Sequence, residues 1–281
     1  MAKNGVMNMD VHAYSFYRYL VATVSCLLIM AFKREYKIDI KDILPLALIG
    51  FFFVFLQQKI YLEGAYLTTA GNNAVICATI PIITIFINGI LKYEVITVKQ
   101  ITGTMVSLAG VVIVIFFNGG EIILNVAVKG DLMVLVSMFL WSAYIIANKK
   151  YIMKYSSELV VGYTMCFSLV FMYVFWYSDI KSVHPSAIDF DNWINIILTG
   201  MVMTTVVNIM WNQCVKEIGS VKASVYYNIS PILSIAIGIV WLNEQLNVYM
   251  IVGALLTISG VFFSQYRVSS QEKEVGYLEV E

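Results

Sequence analysis

Long apolar runs alternate with short polar punctuation along almost the whole chain. Nine runs approach the roughly 20 residues that a helix needs to cross a bilayer: they lie near 14–32, 43–62, 71–91, 99–117, 130–148, 160–178, 193–212, 222–242 and 247–266. The breaks between them carry turn chemistry, as in Asn118-Gly119-Gly120, His184-Pro185-Ser186, Gly219-Ser220 and Asn243 to Asn247. Residues 122–128 are apolar but too few to cross, and they read as an interfacial or loop segment. Residues 267–281 are polar and read as a disordered tail. The pattern predicts an all-α, polytopic membrane protein.

The pattern occurs twice. An offset of 150 aligns Gly50 with Gly200, Pro81 with Pro231, Glu94 with Glu244, Gly103 with Gly253, and Gly110-Val111 with Gly260-Val261, without a gap. Thirteen identities over the 74 positions from Ile43 to Phe116 coincide with the same hydropathy breaks, which reads as a duplication. Val161 to Ser178 maps onto Val11 to Leu28, whereas the span 130–148 maps to a position before Met1. The expected organisation is therefore five plus five. The first repeat (1–117) carries helices two to five with helix one missing, and the second (130–266) carries helices six to ten.

Composition agrees with a lipid solvent: 60% of residues are hydrophobic, 13% are charged, and the mean hydropathy is +0.80. A formal charge of zero supplies no basic field for nucleic acid. Cys26, Cys77, Cys166 and Cys214 sit in apolar runs without CxxC spacing and read as packing residues, not metal ligands. No Walker-type phosphate loop and no cofactor motif is present. The run from Tyr14 to Phe32 lacks a cleavage site and reads as a retained span.

Loop charge gives the orientation. Assigned alternately to two sides, one set of loops holds Lys33, Arg34, Lys37, Lys41, Lys92, Lys99, Lys149, Lys150, Lys154, Lys216, Lys222, Arg267 and Lys273. The other holds Lys3, Lys129 and Lys181. The positive-inside rule then places the C-terminus in the cytoplasm and Met1 outside. An odd number of crossings per complete repeat makes the two copies face opposite ways. Such inverted repeats are a mark of secondary transporters.

The run Ala65-Tyr66-Leu67-Thr68-Thr69-Ala70-Gly71-Asn72-Asn73-Ala74 followed by Pro81 resembles the third-to-fourth helix signature of EamA-type members of the drug/metabolite transporter superfamily. So does Ile218-Gly219-Ser220-Val221-Lys222-Ala223-Ser224, continuing to Asn228, Pro231 and Asn243-Glu244. Arg18-Tyr19 is similar to that family's arginine-aromatic pair, and Trp141-Ser142-Ala143-Tyr144 to its tryptophan motif. The resemblance implies a ten-helix carrier of small metabolites, many such carriers being exporters of amino acids or toxic compounds. It implies a plasma membrane of bacterial type, a small-molecule substrate and a lipid bilayer as partners, and room for a homodimer.

Polar side chains in hydrocarbon are costly and are candidates by default. Gln58, Asn72 and Asn73 in the first repeat, Trp141, Tyr144, Asn208, Trp211 and Asn212 in the second, and then Tyr226, Tyr227 and Asn228 are candidates to line a substrate cavity. Under the offset, Gln58 matches Asn208 and Tyr61 matches Trp211. Each amide can equally serve only to bond a neighbouring helix. Arg18 reads as either a structural anchor or a cavity charge, and Lys59 and Glu63 as either an ion pair or embedded charges. Every aspartate from Asp10 to Asp191, and both histidines, His12 and His184, are assigned to loops, which leaves Glu63 as the approximate candidate for a proton-carrying acid. The loop placement argues against a membrane-embedded enzyme. A non-transporting membrane protein is the other alternative.

Overall fold

A computed structural model describes residues 9–91, 98–116, 126–224 and 248–265. Among these there is no strand, and the chain runs through helices α1 Val11–Lys33, α2 Ile40–Leu67, α3 Ala70–Cys77, α4 Ile80–Ile90 and α5 Val98–Phe116. It continues through α6 Val126–Lys154, α7 Ser157–Phe175, α8 Tyr177–Ser182, α9 Phe190–Ile218, α10 Ser220–Ser224 and α11 Val248–Gln265. Val11–Lys33, Ile40–Leu67, Val128–Lys154, Ser157–Phe175 and Phe190–Ile218 are long and apolar enough to cross a membrane. Val75–Ile90 and Ile251–Phe263 are shorter apolar helices. The nine expected spans are thus not all accounted for among the described residues; most of 222–242 lies outside them.

Local chemistry sets the ends. The Asp10 carboxylate accepts from the backbone N–H of His12 and Ala13 and starts α1. Ser156 does the same for α7 through Leu159 N. The expected span 71–91 is broken at Ala78-Thr79, because Pro81 needs a first-turn position and takes it in α4. Gly219 ends α9 with φ 87° and ψ 161°, a conformation that only glycine adopts without strain.

The helices fall into two compact units, Met1–Glu63 with Phe139–Ala223, and Gly64–Met138 with Ser224–Glu281. In the first unit α1 packs on α7 and on the middle of α9, and the middle of α2 packs on α7. Ala22, Cys26, Val161, Met165 and Ile209 form one buried cluster, and Tyr17, Ile188 and Ile196 another. In the second unit α5 packs along α11, with α3 and α4 against both.

Contacts at positions 150 apart correspond. A Cβ added to Gly50 would meet Thr164 O of α7 at 2.7 Å, and one added to Gly200 would meet Arg18 O of α1 at 2.7 Å. A Cβ on Gly110 would meet Gly253 O at 2.5 Å, and one on Gly260 would meet Gly103 O at 2.5 Å. Both α2 and α9 widen into π-helix at matching places, Gly50–Leu56 and Thr199–Val206. In α9 the Thr204 and Thr205 hydroxyls donate to the carbonyls of Thr199 and Gly200, five residues back. Small residues let helix backbones touch where hydrocarbon offers no hydrophobic drive.

The surface confirms the solvent. Leu28, Phe32, Met105, Leu255, Phe262 and Phe263 are all exposed on helices, an arrangement that water would penalise and lipid does not.

Candidate functional site

The first unit contains a buried polar cluster inside its apolar helices. Tyr19 of α1 donates its hydroxyl to Gln58 Oε1 of α2 at 3.3 Å. Asn148 of α6, fully buried, donates to Asn212 Oδ1 of α9 at 3.5 Å. Asn212 in turn donates to Asn208 O at 2.9 Å, and Asn208 to Thr204 O at 2.7 Å. The Tyr144 phenol lies within interaction range of Asn148, Asn212, Thr164 and Tyr19. Five helices, α1, α2, α6, α7 and α9, therefore contribute to one polar patch. Trp141 stacks on Tyr144 with ring centroids 5.0 Å apart and forms its aromatic edge.

The patch has open valence. Asn148 Oδ1 is buried and has no hydrogen-bond partner. Arg18, half-buried, holds its guanidinium 5.4 Å from the Tyr19 ring centre, with Nε buried and unpartnered. An amide acceptor, phenol donors and a cation are groups that can together hold a small polar or zwitterionic molecule, and the Trp141-Tyr144 stack offers an apolar face beside them.

The structure brings Gln58, Tyr144, Asn208 and Asn212 into this unit together with Trp141, Arg18 and half-buried Trp211. Asn72 and Asn73 are in the other unit. Asn72 bonds Asp131, and Asn73 accepts from Cys77 Sγ at 3.8 Å. Tyr226, Tyr227 and Asn228 lie outside the described residues. Lys59 and Glu63 are half-buried and no ion pair joins them.

Two further groups brace this unit. Lys33 Nζ lies 2.5 Å from Glu158 Oε1, which also accepts from Gln213 at 3.2 Å. Lys154 bridges Asp39 and Asp42, and Tyr155 donates to Asp42 at 2.7 Å. The hydrogen bond from Lys154 holds the Asp39 carboxyl below the usual carboxylate range.

The assignment of all aspartates and histidines to loops is corrected. His12 lies in α1, Asp42 in α2, Asp131 in α6, Asp179 in α8 and Asp191 in α9. His12, Asp42 and Asp191 stand where helices begin earlier than the apolar runs do, since polar residues populate first turns, whereas Asp131 lies inside the expected run 130–148. His12 Nδ1 lies 2.8 Å from Asp179 Oδ2, and with Asp10 the three offer metal-type ligand atoms within 4.8 Å of one another. Asp10 is exposed and already caps α1. Sequence reasoning also missed Tyr19, Asn148 and Thr164 as members of the cluster. Asn148 was accessible in principle, because it follows Tyr144 by four residues and shares its helix face.

All-helical architecture among the described residues, exposed apolar helix surfaces and a polar patch inside the helices fit an integral membrane protein. A family model for the EamA-like transporter family matches residues 1–116 and 128–266, and the chain belongs to that family. It is similar to YyaM, an uncharacterized transporter of Bacillus subtilis (strain 168), with 25% identity over 87% of this chain and 81% of the relative. An uncharacterized transporter of Archaeoglobus fulgidus shares 22% identity over 93% and 90%. The WAT1-related protein At5g13670 of Arabidopsis thaliana shares 24% over 90% and 76%. A solved crystal structure matches with a TM-score of 0.71 at 15% identity, covering 94% of this chain and 92% of that one, a likeness of fold alone. The Bacillus and Archaeoglobus relatives are named as transporters, not as enzymes.

Proposed function

We propose that this chain is a secondary transporter that moves small metabolites across the membrane by alternating access, as an exporter of amino acids or of similar polar or toxic compounds. The observation that carries the reading is the buried amide and tyrosine cluster of Tyr19, Gln58, Tyr144, Asn148 and Asn212, with Asn148 Oδ1 open to a ligand donor. Gln58, Trp141, Tyr144, Asn208, Trp211 and Asn212 contact the substrate, together with Asn72, Asn73, Tyr226, Tyr227 and Asn228 at other stages of the cycle. Arg18 pairs with an anionic group on it.

Nine spans, arising from a five-plus-five inverted repeat with halves at 1–117 and 130–266, supply the machinery. The matching glycine contacts and matching π segments support that repeat. Two halves of opposite orientation can exchange conformations, which opens one site to each side in turn. The loop charge bias supports a cytoplasmic C-terminus, and the bacterial relatives support a plasma membrane.

The test is efflux from cells that express the full chain, loaded with radiolabelled amino acids. Faster efflux than from vector controls, abolished by Asn212→Leu at equal membrane abundance, is expected. Equal efflux from both cell populations for every amino acid and for a panel of amphiphilic toxic compounds would overturn the reading.

A further inference from the structure

We propose that Asp131 is the proton-binding carboxylate through which transport is coupled to a proton gradient; this rests on the reading of the chain as a carrier. Asp131 sits in α6, three residues inside the membrane-crossing stretch Val128–Lys154, and is 1% exposed. Its Oδ1 accepts from the Thr68 hydroxyl and its Oδ2 from Asn72 Nδ2 at 3.0 Å. Both partners are neutral. Among the described residues no ion pair neutralises it.

A structural cap does not require this acid. The chain break between α2 and α3 is closed by Thr69, whose hydroxyl accepts from Asn72 N at 3.1 Å and whose carbonyl accepts from Asn73 N at 3.0 Å. Among the described residues Asp131 bonds the side chains of Thr68 and Asn72, a task that a neutral amide or hydroxyl performs without the cost of a charge in hydrocarbon. A group that is sometimes neutral explains the choice. A hydroxyl rotates, so Thr68 can donate to the ionised carboxylate and accept from the protonated one, which keeps Asp131 bonded in both states.

The walls are tight. A Cβ on Gly130 would meet Leu67 Cβ at 2.7 Å, and one on Gly64 would meet Gly130 O and Val134 N at 2.9 Å. The α2 and α6 backbones therefore touch beside the acid. Of the other titratable groups on the described elements of this unit, Tyr66, Lys99, Lys129 and Tyr249 are exposed, and Cys77 bonds Asn73. Uptake is a single proton transfer: a proton from water adds to a carboxylate oxygen on one side and leaves from it on the other.

Infrared titration of the full chain in lipid nanodiscs tests the protonation. The wild type is expected to show a carboxylic C=O band that is lost reversibly at alkaline pH, missing in Asp131→Asn and kept in Asp131→Glu. Proteoliposomes incubated in a mixture of radiolabelled amino acids test the coupling. An imposed pH gradient should drive accumulation by the wild type and by Asp131→Glu, and only equilibration by Asp131→Asn. No titrating band in the wild type, or full accumulation by Asp131→Asn, overturns the proposal. Should Asp131→Asn fail to fold, the wild-type and Asp131→Glu bands and fluxes still decide it. A titrating Asp131 band in a wild type that moves no label overturns the carrier reading itself, whereas transport without the band overturns only the coupling.

Discussion

Replacing Gly260 with alanine tests the packing of α5 against α11 most sharply. The added methyl would stand 2.5 Å from both Gly103 O and Ser107 N, and 2.9 Å from Ser107 Cβ. Two of these are backbone atoms of a helix and cannot rotate away. To restore ordinary contact near 3.4 Å the helices must part, which also stretches the 3.4 Å hydrogen bond from Thr257 to Ser107 O past its useful range. Overpacking of this kind costs about 1–3 kcal/mol, and clashes with backbone place it at the upper end. Alanine returns about 1 kcal/mol of helix propensity, so the net loss is about 2 kcal/mol. Thermal unfolding of the purified chain should then fall by about 4–8 °C. Gly110→Ala, which meets Gly253 O at 2.5 Å and Thr257 N at 2.7 Å, should lose a similar amount. The double variant should lose less than the sum, because the helices part once. A Gly260→Ala protein that melts at or above the wild-type temperature would refute the packing argument.

Other substitutions probe other links. Gly219→Ala should cost about 1–3 kcal/mol from backbone strain alone, since nothing lies within 4 Å of the new Cβ; an unchanged melting temperature would contradict it. Lys33→Met leaves the buried Glu158, in the first turn of α7, with Gln213 as its remaining side-chain partner and should destabilise by about 1–3 kcal/mol, as read by denaturant-monitored fluorescence. Asp39 contributes stability above the ordinary carboxylate pKa that is lost as pH falls through its lowered folded value. Melting curves taken from neutral to acid pH should therefore converge for wild type and Lys154→Met. Tyr19→Phe removes the donor to Gln58 and should cost about 0.6 kcal/mol of stability, while lowering efflux several-fold in the loaded-cell assay.

Much of the architecture is legible in residues whose backbone consequences survive any context. Gly103, Gly110, Gly253 and Gly260 are found where two helices touch, and Pro81 stands in the first turn of a helix. Hydropathy located the long helices but not their ends. α6 begins at Val126, and α2 runs on to Leu67, because lysines, aspartates and glycines complete turns that apolar periodicity does not mark. Asp131 already lies at the second position of the expected run 130–148, so its assignment to a loop contradicts that run. The π segments in α2 and α9 left no trace in composition, since they depend on how each helix meets its neighbour. Polar candidates were found by type, but their partners come from packing. Gln58 and Asn212 share the first unit with Asn148 and Tyr19, whereas Asn72 is committed to Asp131.

Alternating access at the polar cluster is the central claim, and cysteine accessibility at position 164 measures it. In a functional background without the four native cysteines, Thr164→Cys, at the hydroxyl beside the Tyr144 phenol, should react with a membrane-impermeant maleimide added to either face of oriented vesicles, with the two reactivities shifting in opposite directions on addition of transported substrate. Reactivity from one face only, under every substrate condition, would contradict the account.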